Sequence, residues 1–355
     1  AGVGGRRVGE LEGSGVLLSP ETDEPAQVPM MRPDGRTQAG TGFDELTFDG
    51  RADARWHPKD RLSVAVYGYR QFDAPRTDQC PAAYAPFDEC LRYEEQFRTL
   101  AYAAFDTKRI GALKRLRLTA SWQQQHERKR LDRPSSFVQH TGRDTVQTLG
   151  LSLVGSTKPM RLNPSLRLKG QFGADHYADS VASKAWTELT DLEVLVERSR
   201  GQYLDGSRYA QGGAFIDLEL AWKRRLSFLA GGRAAWALAH AGADLTSGSQ
   251  AVDATWTPVT GHAGLRFTIS RLDALNLSLD RSFRAPNLDD LTSRQFTGPG
   301  FQFENAALGP EVAHSVELGW TRRARDLEWD LWGFRTELDG AIVRRPRAPE
   351  DCPPE

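Results

Sequence analysis

The chain has 355 residues, 39% hydrophobic and 26% charged, with 46 Lys and Arg against 47 Asp and Glu for a formal net charge of -1. A chain this close to neutral has no basic excess with which to bind nucleic acid through counterion release, so nucleic acid is not expected as a partner. No stretch reaches the roughly 18 apolar residues that a spanning helix needs, which excludes helical membrane proteins and leaves barrels open, because their strands are apolar only on alternate residues.

The opening residues, Ala1 to Arg7, show no basic segment leading into an apolar one and do not read as a signal peptide. The chain is therefore expected to be either cytosolic or an internal piece of a longer protein. Leu11 to Gly42, with Pro20, Pro25, Pro29 and Pro33, has little alternation, and residues 1–41 are expected to form a loop entering the first strand.

From there a two-residue period runs along the chain. Leu62, Val64, Val66 and Gly68 fall on one face, opposed by Arg61, Ser63 and Ala65. Leu116, Leu118, Ala120 and Trp122 oppose Arg117, Thr119 and Ser121. The pattern continues in Leu149, Leu151 and Leu153, in Leu166, Leu168, Gly170 and Phe172, and in Ile216, Leu218, Leu220 and Trp222. It returns in Leu275, Leu277 and Leu279 and in Val316, Leu318 and Trp320. Each segment reads as a strand with one apolar and one polar face.

The connections alternate in length. Short turns are expected near Pro58 to Asp60, Arg109 to Ala112, Thr157 to Arg161, Lys223 to Arg225, Arg271 to Ala274 and Arg323 to Asp326. Long polar stretches fall at Asp73 to Glu95, Lys129 to Arg143, Tyr177 to Arg208, Gly242 to Asp253 and Arg284 to Val312. Tight turns at one end and long loops at the other match an outer-membrane barrel with short periplasmic turns and long extracellular loops. The fold class is therefore all-β, an antiparallel up-and-down transmembrane barrel, with about twelve strands in this chain at roughly ten residues per crossing. No linker divides the chain, so residues 1–355 read as a single barrel domain. Trp56, Tyr67, Tyr69, Trp122, Trp222 and Trp320 are candidates for interfacial girdles.

The three cysteines make no CxxC pair, but Cys80 and Cys90 share one Pro- and Asp-rich segment, where an oxidising compartment would allow a loop-closing disulfide. The seven histidines, His57, His126, His140, His176, His240, His262 and His314, are scattered, and no GxSxG or HExxH accompanies them. No catalytic residue, cofactor or metal site is expected.

The segment RSFRAPNLDDLTSRQFTGPGFQFENAALGPEVAHSVELGW, Arg281 to Trp320, carries the most specific signal. Pro286 has no N–H to donate and biases Ala285 to an extended backbone, so a strand must end there, while Pro310 before Glu311 marks the entry of the next. Phe283, Arg284, Ala285, Pro286, Asn287 and Leu291, followed by Asn305, Leu308, Pro310, Glu311, Ser315, Glu317, Leu318 and Gly319, resemble the barrel signature of TonB-dependent outer-membrane receptors. Ala306 stands where that family usually has Pro.

The resemblance implies an outer-membrane receptor for energy-coupled uptake of a scarce nutrient such as an iron-siderophore or cobalamin. It implies outer-membrane lipid, a small nutrient ligand and the TonB complex as partners, the last reached through a plug domain. Family members have twenty-two strands and an N-terminal plug, so this chain is expected to be a barrel fragment without the plug and the C-terminal strands. Arg284 and Glu317 could pair with each other or face the plug. A passive porin and a soluble all-β binding module are the alternatives, the second disfavoured by the one-sided loop lengths.

Overall fold

The computed structural model describes residues 1–16, 18, 22–24, 31–76, 90–133, 136–223, 225–297 and 300–348. Its strands are β1 (Gly2–Val8), β2 (Leu11–Glu12), β3 (Thr37–Gln38), β4 (Phe43–His57), β5 (Asp60–Pro75), β6 (Cys90–Thr107) and β7 (Leu113–Arg133). They continue with β8 (Val138–Thr157), β9 (Met160–Asn163), β10 (Leu166–Leu189), β11 (Val194–Glu197), β12 (Arg208–Trp222), β13 (Leu226–Ala241) and β14 (Val252–Trp256). The last are β15 (Val259–Thr268), β16 (Asp273–Arg284), β17 (Gln295–Thr297), β18 (Gly300–Gln302), β19 (Glu311–Arg323) and β20 (Glu328–Asp339), with a single helical turn α1 (Leu288–Thr292) between β16 and β17.

One antiparallel sheet dominates, in the order β1-β4-β5-β6-β7-β8-β10-β12-β13-β15-β16-β19-β20, with β9 and β11 attached to β10 and β14 to β13. Chain neighbours pair in sequence, as alternating strands joined by hairpins must. Among the described residues β1 and β20 each have one partner, so the sheet ends there on two edges. Residues 1–41 depart from the expected loop: Gly2–Val8 pairs along its whole length with β4, held by Arg7 on Asp44 at 2.8 Å and by Arg6 on Glu45. Gly4 and Gly5 hide this strand from an apolar-periodicity search, because they supply no side chain to either face.

Register turns the alternation of single strands into two continuous surfaces. On one face Leu168 lies opposite Leu220, Leu220 opposite Phe228, Phe228 opposite Leu265, Leu265 opposite Leu277, and Leu277 opposite Leu318. Large side chains on this face stay open, Leu149 at 62% and Leu218 at 42% of full exposure. A water-soluble surface rarely carries so broad an apolar patch, whereas a lipid-facing band requires one. The opposite face holds Asp217, His262, Asp280 and Ser315 in one cross-strand row, and Arg233 grips Asp175 with both amino groups at 2.7 Å. We refer to these as the outward and lumen faces.

Trp56, Trp222 and Trp320 share the outward face at the short-turn end, where Trp56 stacks on Phe105 at 5.8 Å and Trp320 meets Trp329 edge-on at 5.1 Å. Trp122 lies higher, opposite Leu149. Tyr67 and Tyr69 are not part of a girdle: they alternate with Val66 and Gly68 and so project to the lumen, where Tyr69 donates to Glu45 at 2.5 Å.

Short turns close β4–β5, β6–β7, β12–β13, β15–β16 and β19–β20 as expected, and β8 reaches β10 through β9. At the other end two expected loops contract. Lys129 to Arg143 is mostly strand, with only residues 134–137 between β7 and β8. Tyr177 to Arg208 begins as the continuation of β10 to Leu189, leaving residues 190–207 for β11 and its flanks. Charged alternation such as Lys129–Arg130–Leu131 reads as loop only when both faces are assumed to need apolar residues, and above a bilayer neither does.

Candidate functional site

The connection between β16 and β19 folds onto the lumen face. Arg284 ends β16 and forks onto Asp290 at 2.6 Å and Glu311 at 3.1 Å, so one guanidinium ties the strand end to α1 and to the start of β19. Asn287 opens α1 with a reciprocal capping box: its side chain accepts from the Asp290 N–H at 2.9 Å, and Asp290 accepts from the Asn287 N–H at 3.0 Å. Pro286 and Leu291 are fully buried, and Leu288 and Leu291 pack with Val181, Leu204, Tyr209, Ala237, Ala239, Ala241 and Val252. Strand parity puts those side chains of β10, β12 and β13 on the lumen face, so α1 reaches inward across the sheet.

The remaining motif residues support this fold of the loop. Ala285, Ala306 and Leu308 pack against the same cluster, and Asn305 accepts from the Ala307 N–H at 3.0 Å. Phe283 sits opposite Val312 on the outward face, and the Pro310 carbonyl lies where a side chain at Gly340 would have to go, 2.8 Å away. Glu311 also accepts from the Ile342 N–H at 2.7 Å. Gly319 makes room for the Trp332 ring, which a Cβ there would meet at 2.6 Å. Glu317 faces the lumen opposite Ser278, six residues beyond Glu311, and the Arg284 guanidinium is engaged elsewhere. The pairing of Arg284 with Glu317 considered from the sequence is therefore not made.

Beyond α1 lies a buried ion network that the sequence reading did not single out. Glu304 takes Arg294 at 2.5 Å and Arg200 at 3.4 Å, and all three side chains are at most 10% exposed. Arg200 also donates to Ser249 Oγ at 2.5 Å and to the Thr292 carbonyl, and Arg294 donates to the Ser247 carbonyl at 2.8 Å. A backbone bond from the Arg294 N–H to the Gln202 carbonyl, 2.8 Å, completes the join. Three long connections, residues 198–207, 242–251 and 285–310, are thus fastened into one body. Burial pushes the Glu304 carboxyl up, but the bond from Arg294, its backbone and Ser249 bonds and the Arg200 charge outweigh this and hold it below the usual carboxylate range. Burial draws the Arg200 guanidinium down to about 10, which leaves it charged.

Through Gln202 and Tyr203 this body borders a cavity of about 270 Å³ on the lumen face, lined also by Tyr69, Arg98, Gln125, Glu127 and Asp144 among others. Gly201 permits the close approach, since a Cβ there would meet Ser183 Oγ at 2.2 Å. Ser183 in turn accepts from the Tyr203 N–H at 3.0 Å and donates to Asp144 at 2.5 Å. The cavity offers one guanidinium, the His126 imidazole, amides, hydroxyls and carboxylates, a hydrogen-bonding lining suited to holding a polar ligand. Among the described residues no three His, Cys, Asp or Glu side chains converge as a metal site. Cys90 is disulfide-bonded, and Cys80 lies outside the described residues.

The family model described as TonB dependent receptor-like, beta-barrel matches residues 31–354, and the chain belongs to that family. It is a family of transport receptors of the Gram-negative outer membrane. No curated protein sequence matches the chain. Among solved structures, the copper transporter OprC superposes with a TM-score of 0.67 at 13% identity, over 84% of this chain and 46% of its own. The Serratia marcescens hemophore receptor HasR gives 0.64 at 12% identity over 84% and 46%. The FrpB iron transporter of Neisseria meningitidis gives 0.63 at 10% identity over 96% and 50%. These likenesses establish the fold, and the chain spans about half the length of each.

Proposed function

We propose that this chain is part of an outer-membrane receptor that takes up a scarce nutrient by TonB-coupled transport, with no chemistry of its own. What carries the reading is the lumen-side cavity bordered by Gln202 and Tyr203 of three interlocked long connections, in a chain of this receptor family. In this reading the apolar outward face contacts membrane lipid, the long connections face the exterior, and the TonB complex acts through a plug domain of the complete receptor. Structural neighbours are described as receptors or transporters for heme-loaded hemophore, copper and ferric citrate, and the ligand proposed here is of that kind, a small metal chelate or cobalamin-like nutrient. Cys80 and Cys90 are proposed to close the connection between β5 and β6.

The test is uptake of radiolabelled ferric siderophores, heme, copper and cobalamin by cells with and without the full gene. One compound is expected to enter only in the presence of the gene and to stop on adding a protonophore. Gene-dependent uptake that continues under protonophore would instead identify a passive barrel.

A further inference from the structure

We propose that the outward groove between β15 and β20 is a binding site for the phosphorylated head of an outer-leaflet glycolipid. The groove encloses about 530 Å³ and rests on Gly261, Ala263, Leu279 and Val316. At its upper rim stand Arg281 of β16, His314 of β19 and Arg335 of β20, with Glu337 beside them. Arg281 and His314 are direct cross-strand partners, and so are His314 and Glu337, which places all of these side chains on the face that carries the apolar band.

Two features call for an anion. Cations on the lipid face of a barrel destabilise it increasingly toward the bilayer midplane and are tolerated near the interface. Here they begin one residue pair above Leu279, where the run Leu275, Leu277, Leu279 stops, as the interface demands. Second, the local carboxylate is already committed, because Glu337 pairs with Arg335. Arg281 donates to the Val259 carbonyl, and among the described residues no carboxylate pairs with it. A lipid phosphate supplies the missing charge, the groove floor takes an acyl chain, and both ends of one amphiphile are then met at the correct depth. The long connections at this end of the strands put the site in the outer leaflet under the function proposed above, on which this inference rests.

The experiment uses the full receptor purified from outer membrane, wild type and Arg281→Gln/Arg335→Gln, with folding checked by the heat-dependent shift in gel mobility. Each protein is titrated with deep-rough lipopolysaccharide, with the same glycolipid stripped of phosphate, and with phosphatidylglycerol vesicles. The double variant should bind the phosphorylated glycolipid about thirtyfold more weakly, from the usual increment of two cations near an anionic lipid surface. The stripped glycolipid should not distinguish the two proteins. Equal affinities of the two proteins for the phosphorylated form, an equal loss with the stripped form, or preferential binding of phosphatidylglycerol would each overturn the site. Protease added to whole cells checks the parent reading separately: cleavage in the long connections upholds it whatever the titration shows, whereas protection of those connections removes the outer-leaflet placement and the site together.

Discussion

Glu304 holds together residues far apart in sequence, and removing one partner of a buried pair leaves an uncompensated charge. Glu304→Gln takes the one shared carboxylate from Arg200 and Arg294 and should therefore cost about 3–5 kcal/mol locally, seen as faster amide exchange throughout residues 198–207, 242–251 and 285–310, with the strands below unaffected. If exchange rose only around residue 304, the three connections would not be one body. The same carboxyl sets a pH dependence. Its folded pKa lies below the unfolded value of about 4.3, so its contribution is complete above that value and is lost as pH falls through the folded pKa. Protection factors in the three connections, corrected for the intrinsic pH dependence of amide exchange, should stay flat from pH 8 to pH 5 and fall only below about pH 4. Nothing in the sequence marks Arg200, Arg294 and Glu304 among 93 charged residues, because their importance comes from burial and from partners up to 104 positions away.

At the scale of elements, α1 is the piece that anchors this body to the sheet. Leu291 has no exposed surface and fills the cluster on Val181, Tyr209 and Ala239, so Leu291→Ala should destabilise the docked loop by about 2–5 kcal/mol. Limited proteolysis checks this: cleavage in residues 285–310 should appear in the variant under conditions where wild type resists. Equal resistance would mean that α1 is held by its ion pairs alone. Sequence reasoning located both ends of this connection at Arg284 and Glu311, because proline cannot continue a ladder. It did not show that the loop folds inward, since the apolar pair Leu288 and Leu291 reads the same whether it packs on a lumen wall or on a neighbouring loop. Alternation likewise gave the strand faces correctly but missed β1, whose glycines carry no pattern, and shortened β7 and β10, whose upper ends are polar on both sides.

The whole molecule is defined by its two faces and two edges. Among the described residues β1 and β20 each have one free side, and in a bilayer core a strand edge must find a partner. The short turns, the antiparallel order and the outward apolar band are all legible in the sequence, because a barrel repeats one local rule many times. The lipid-facing assignment is the central claim, and single-cysteine labelling of the full receptor in intact outer membrane tests it most directly. Cysteines replacing Leu118, Leu218 and Leu277 should stay unlabelled by a water-soluble maleimide, while those replacing the lumen-facing Thr119, Asp217 and Ser278 should react. Rapid labelling at the three leucine positions would contradict the assignment, and with it the barrel reading of this sheet.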